Sequence, residues 1–246
     1  MLANASIPRK LYLLQLSNST VPLPGGRTLD MVLGCYLVET SDGAHILIDS
    51  GYPADVPPSP GVPRAENETN VIAELGRLGL GPDDIDILIC THFDIDHVGY
   101  HDAFTRAELI VQREHYELAR GGHPRYTAAR AHWDHPALRY RLIDGDTEII
   151  PGLTLLETSG HTPAHQSVLV RLPRTGPVLL AIDAVMLQRL FTPERPASPA
   201  DDNAEQLVAS TRKLLDLVEL ESVALVIFGH DGEQWRTLRK APDYYD

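Results

Sequence analysis

Apolar positions along this chain fall into short runs, some alternating with polar residues and some uninterrupted, divided by Gly, Pro, Asn and Asp. Lys10 to Leu16, Met31 to Glu39 and His45 to Asp49 read as strands. A helical pattern follows, with Val71, Ile72, Leu75 and Leu78 on one face, and Gly79 and Gly81-Pro82 end it. Ile85 to Cys90 is a buried strand, Leu109 to Val111 a short one, and Arg113 to Arg120 a helix. Gly121 to Tyr140 has no clear period and reads as a lid or insertion carrying His123, His132 and His135. Strands resume at Glu148 to Ile150, Leu153 to Glu157, Ser167 to Leu172 and Val178 to Ile182. A helix from about Asp202 to Leu220, with Asp201 or Asp202 as its cap, aligns Leu207, Val208, Leu214, Leu215 and Val218. Val223 to Phe228 closes the series. Strands grouped before and after helices imply two sheets packed face to face with helices outside.

Composition narrows the class. At 246 residues the chain is long enough for one domain with a large core, and we read 1–246 as a single domain. Hydrophobic residues at 43% and charged residues at 22% are ordinary globular values. The formal charge of −13, from 34 acidic and 21 basic residues, argues against nucleic acid or an anionic membrane as partner. Cys35 and Cys90 lie in apolar runs without a CxxC pair, so they read as buried hydrophobes. The stretch MLANASIPRK lacks a signal-peptide core and no run approaches a membrane span. A soluble, cytoplasmic protein is expected.

Chemistry concentrates in Thr91-His92-Phe93-Asp94-Ile95-Asp96-His97-Val98-Gly99, which sets four imidazoles and carboxylates into six residues at a strand's carboxyl end. Loops at such ends commonly carry function. The pattern recurs. Asp49 follows His45 to Ile48, His161 and His165 follow Leu153 to Glu157, Asp183 follows Val178 to Ile182, and His230 and Asp231 follow Val223 to Phe228. One polar residue after a strand is routine, but repeated His and Asp can converge on one sheet edge. His92, Asp94, Asp96, His97, His161, Asp183 and His230 supply the roughly seven ligands that two divalent ions require, without any cysteine. His165 reads as a residue that orients ligands or serves the structure, and Asp49 as one that orients ligands or fixes the turn. His101, His115, His123, His132 and His135 read as ordinary surface or loop histidines, although those of the 121–140 segment could line a substrate entrance. Phe93 reads as packing, while Ile95 could pack or touch an acyl chain.

With HxDxDH, two later GH pairs and an isolated Asp after a strand, the chain resembles the metallo-β-lactamase superfamily. GHTPAHQS and FGHDGEQW are similar to its N-acyl homoserine lactonase group. The resemblance implies a four-layer αββα sandwich of two mixed β-sheets flanked by helices. It implies one metal on His92, Asp94, His161 and Asp183, a second on Asp96, His97, Asp183 and His230, and Asp183 as the bridge. Zinc is the implied metal. Lactone opening by a metal-bridging hydroxide is the implied reaction, since two cations about 3.5 to 4 Å apart make water acidic near neutral pH. Asp96 is the implied proton donor to the leaving oxygen.

Two positions depart from the family pattern. Asp94 stands where the motif has its second histidine, which shifts preference toward iron or manganese or leaves the first site weak. Met186 stands where the lactonases carry a tyrosine that contacts the substrate carbonyl, so an oxyanion donor is lost unless another group replaces it. Ile95 and Met186 are the candidate substrate contacts. N-Acyl homoserine lactones, the substrates of quorum quenching, are the lead class. Another ester, thioester or small lactone is the alternative. A di-iron redox protein, suggested by a carboxylate at the second motif position in flavodiiron relatives, would need a flavin domain that 246 residues do not accommodate. A non-catalytic metal-binding module would need a degenerate ligand set. Monomer and homodimer both stay open.

Overall fold

The computed structural model describes residues 6–22, 25–57 and 69–246, so the first five residues of the N-terminal stretch read above lie outside the described residues. One sheet holds β1 (Pro8–Pro22), β2 (Thr28–Thr40), β3 (His45–Ile48), β4 (Ile87–Ile89), β5 (Glu108–Gln112) and β6 (Arg139–Ile143) in that order. β1 to β3 pair antiparallel, and β3 to β6 pair parallel. The other sheet holds β7 (Thr147–Ile150), β8 (Leu153–Glu157), β9 (Gln166–Leu172), β10 (Gly176–Ile182) and β11 (Leu225–Phe228), in the order β11-β10-β9-β8-β7. Only β10 and β11 pair parallel within it.

Strand periodicity explains the layers. In β4, Ile89 joins the core between the sheets with Leu11, Ile48 and Ile110 from its own sheet and Leu155, Val168 and Ile227 from the other. Leu88 points the opposite way, into a second core with Val71 and Leu75 of α1 (Val71–Arg77), Ala119 of α2 (Arg113–Arg120) and Trp133 of α3 (Arg130–Trp133). Leu169, Leu179 and Ala181 face Leu214 of α4 (Ala204–Leu220) on the far side. A final turn, α5 (Gly232–Trp235), seats Trp235 against Tyr36 at the sheet seam. The result is helices, sheet, sheet, helices, the expected αββα order. Cys35 and Cys90 are free and buried. No helix among the described residues is long and apolar enough to cross a membrane.

Two details differ from expectation. The cap of α4 is Asn203, whose side chain accepts from the Gln206 N–H, while Asp201 turns inward. The unread strand β6 begins at the end of the aperiodic stretch. Its Arg139 and Arg141 alternate with Tyr140 and Leu142, a pattern suited to a charged edge strand.

Candidate metal centre

The chain directions of β3, β4, β8, β10 and β11 bring five loops to one end of the sandwich. Thr91 links the first two. Its backbone N–H and its hydroxyl donate to the two Asp49 oxygens at 2.9 and 2.8 Å, and the hydroxyl oxygen lies 3.0 Å from His92 Nδ1. Asp49 occupies the left-handed region, φ 60°, which Asp tolerates better than most residues. It also bonds His97 Nδ1 at 2.8 Å. Asp49 thus orients Thr91 and His97 and forms the turn.

Each predicted ligand histidine is fixed through Nδ1. His92 meets Thr91, His97 meets Asp49, His161 meets Asp201 at 2.9 Å, and His230 meets the Val32 carbonyl at 2.9 Å. The four Nε2 atoms therefore point inward onto Asp183. Its Oδ2 lies 4.0 Å from His92 Nε2 and 3.4 Å from His161 Nε2, and its Oδ1 lies 3.6 Å from His97 Nε2 and 3.0 Å from His230 Nε2. Asp96 Oδ2 is 3.8 Å from both His97 and His230. Ligand atoms within 4.8 Å of one another define two groups: His92, His161 and Asp183, and Asp96, His97 and His230. Asp183 lies between them.

Donor chemistry fits divalent cations. His92 Nε2 and His97 Nε2 are buried with no hydrogen-bond partner among the described residues, an expensive state for polar atoms, and Asp183 Oδ1 likewise makes no hydrogen bond because His230 Nε2 bonds Oδ2 at 3.1 Å. Burial and the neighbouring His97 hold His92 down to about 3. Burial also opposes charge on His161 and His230, yet Asp201 and Asp94 push the former, and Asp183 the latter, up to about 9. Burial works against ionisation of Asp183 too, but His230 and His97 hold it well below the usual carboxylate range. Protons here balance carboxylates that a cation would balance on binding.

Asp94 borders the first group, with Oδ2 3.1 Å from His161 Nε2 and 3.4 Å from His92 Nε2. Both its oxygens are also held by Arg125, through Nε to Oδ1 and Nη2 to Oδ2, each at 2.6 Å. Burial alone would raise its pKa; Arg125, with His161 and His92, instead holds it well below the usual range.

Supporting geometry is built into the backbone. Gly229 has no room for a side chain, because a Cβ would stand 2.7 Å from the Ile182 carbonyl and 2.8 Å from Asp183 Oδ1. His165 bonds Thr158 through Nδ1 at 2.9 Å and accepts the Asp183 N–H through Nε2 at 3.3 Å, so it orients rather than joins the ligand set. Phe93 is buried, stacked on His115 and packed against Trp133, in keeping with a packing role. Ile95 packs half-buried against the outer core of the first sheet. Met186 lines an apolar cavity of about 330 Å³ with Leu29, Met31, Leu187 and Leu190. Its carbonyl accepts the His230 N–H.

Two histidines read as surface or loop residues are fully buried instead. His101 bonds the Ser50 hydroxyl at 2.7 Å, and His115 accepts from the Phe93 N–H at 2.8 Å while its Nδ1 meets the Pro163 carbonyl at 2.7 Å. His132 is half-buried between Asp55 and Asp102. Sequence reading also missed Arg125 and Asp201. Asp201 stood beside a helix start, where a carboxylate is ordinarily a cap, and Arg125 stood among several arginines of an aperiodic stretch. The only available signal for Arg125 was that Asp94, an anion at a position of neutral donors, calls for a counter-charge.

Fold and site together define a metallohydrolase-type centre, and the chain belongs to the metallo-β-lactamase superfamily, whose family model matches residues 35–230. It is 35% identical to an N-acyl homoserine lactonase of Bacillus sp, over 97% of this chain and 96% of that protein. It is 32% identical to the N-acyl homoserine lactonase AttM of Azorhizobium caulinodans, over 100% of this chain and 97% of that protein. Among solved structures it matches an N-acyl homoserine lactone hydrolase with the product N-hexanoyl-L-homoserine bound at its catalytic metal centre. The TM-score is 0.85 at 32% identity, covering 97% of this chain and 100% of that one.

Proposed function

We propose that this protein is a metal-dependent hydrolase that opens the lactone ring of N-acyl homoserine lactones, and so a quorum-quenching enzyme. The observation that carries the reading is the convergence of four Nδ1-anchored imidazoles on the single Asp183 carboxylate, in a chain 35% identical to a lactonase. His92, His161 and Asp183, bordered by Asp94, would hold one cation; Asp96, His97 and His230 would hold the other, with Asp183 serving both. Zinc is the first choice for this donor set, with iron or manganese as the alternatives that Asp94 introduces. Such a pair, when bound, supplies Lewis acidity toward an ester carbonyl and makes water acidic enough to attack near neutral pH.

The chain's own residues supply position and proton control. Asp49, Thr91, Asp201 and the Val32 carbonyl hold the imidazoles in one tautomer, so that each Nε2 is free to ligate. Asp96, with its side chain one-third exposed at 33%, is the carboxylate of the cluster most open to solvent. In this reading it would pass a proton to the departing ring oxygen. The apolar cavity beside Met186 offers a place for the acyl chain, with Ile95 as a second contact. Met186 carries no hydroxyl to stabilise the developing oxyanion, and that favours a second reading in which the substrate is another ester, thioester or small lactone.

The deciding test is hydrolysis by metal-loaded protein of homoserine lactones of several acyl lengths, unrelated lactones, thioesters and a β-lactam, followed by proton release. Ring opening of the homoserine lactones is expected. A metal-loaded protein inert toward every lactone overturns the first reading, and turnover confined to thioesters or other esters establishes the second.

A further inference from the structure

Asp94 does not stand alone beside the first metal group. The Arg125 guanidinium meets it fork to fork, with two parallel bonds of 2.6 Å, the geometry in which arginine binds carboxylate most strongly and for which lysine is no substitute. The remaining nitrogen, Nη1, donates to Asp202 Oδ1 and to the Ala200 carbonyl, both at 2.8 Å. The guanidinium is thus held on two sides. Nη2 also lies 3.2 Å from His161 Nε2, so the positive charge sits directly against a metal-ligating atom.

Backbone placement of Arg125 is equally fixed. Its neighbour Tyr126 is buried, and the Tyr126 carbonyl accepts from Trp133 Nε1 at 2.9 Å. Phe93, one residue before Asp94, packs against Tyr126 and Trp133. The stretch that carries the arginine is thereby packed onto the motif that carries the aspartate.

We propose that Arg125 is a positioning residue for the first metal group: its fork fixes the Asp94 carboxylate and cancels its charge. The pair together then takes the electrostatic place of one neutral ligand beside His92, His161 and Asp183. The physical reason is charge accounting. Asp94 alone would add an anion to a group that already uses Asp183, while Arg125 alone would oppose a divalent cation at contact distance. Neither is suited to the site without the other. Replacing Asp94 by histidine, the residue the family motif carries there, therefore harms metal binding while Arg125 remains, and becomes tolerable when Arg125 is removed as well.

The inference rests on the dinuclear reading above, and its test separates the two. Chelator-stripped wild type, D94H, R125Q, R125K and the double variant D94H/R125Q are titrated with Co(II) against a chromogenic chelator, with thermal melts confirming that each folds. Wild type binds two equivalents. D94H weakens one of the two binding steps at least tenfold, and D94H/R125Q recovers it to within about threefold of wild type, a coupling that independent sites would not show. R125K, which keeps the charge without the fork, loses several-fold affinity in the same step. D94H binding as tightly as wild type, additive effects in the double variant, or R125K indistinguishable from wild type would each overturn the role of Arg125 and leave the metal centre standing. Wild type that binds no cation would overturn both.

Discussion

His115 belongs to neither ligand group, yet it ties the Phe93 backbone to the Pro163 backbone and so joins the loops that carry His92 and His161. Accepting an N–H at Nε2 while bonding a carbonyl through Nδ1 requires the neutral Nδ1–H tautomer. Burial enforces that state by holding His115 down to about 4, against 6.5 for an unperturbed histidine. The folded value lies below the unfolded one, so the unfolded chain takes up more protons between them. Stability from this group is complete above about pH 6.5, declines as pH falls, and is fully lost below about 4, a difference of roughly 3 kcal/mol. His101, held to about 3 by burial, acts in the same direction. Melting temperatures from pH 7.5 to 4.5 should fall more steeply for wild type than for His115→Gln; parallel slopes would remove His115 from the account. Nothing in the sequence marked this residue, because a histidine on a polar helix of mean acidic and basic character looks exposed until its packing is known.

Among elements, the junction between the ligand motif and the 113–140 stretch carries the most consequence. Phe93 lies within a cluster of His115, Tyr126, Trp133 and Tyr140, with ring centroids 4.8 to 6.4 Å away. Phe93→Ala removes the shared neighbour and should destabilise the fold by about 3–5 kcal/mol. It should also loosen the seating of Arg125. Denaturant unfolding measures the first effect. A loss below about 1 kcal/mol would mean that the stretch is not anchored on Phe93. This junction also divides what was readable from what was not. Strands and their His- and Asp-bearing ends were legible because apolar runs and terminal His or Asp are properties of neighbouring residues. Asp201 and Arg125 act on His161 and Asp94 from 40 and 31 positions away, and His115 acts on the Phe93 backbone from 22, and only the packing of α4, the Arg125 turn and α2 brings them there. Likewise Asp201 looked like a helix cap because an Asp before a helix has that local use. Asn203 fills it, which frees Asp201 for His161.

For the whole molecule, five of the 34 acidic residues stand where cations can answer them, since Asp49, Asp94, Asp96, Asp183 and Asp201 all touch the clustered histidines or belong to the candidate ligand groups. A ligand bound only by the native state stabilises it by mass action, about 4 kcal/mol at a thousandfold excess over Kd. For a chain of this size that corresponds to a melting temperature roughly 10 °C higher. Calorimetry before and after chelation should show a drop of this order, restored by added metal. An unchanged midpoint would mean that the centre does not couple to folding.

Both ligand groups draw on both sheets: His92 with His161 and Asp183 in one, Asp96 and His97 with His230 in the other. Each half of the chain by itself offers only fragments of a coordination sphere. On the dinuclear reading, loading would come late in the history of each molecule, after the two layers have met. Once bound, such ions would act as rivets through the seam, and any path that pries the layers apart would first have to strip them out.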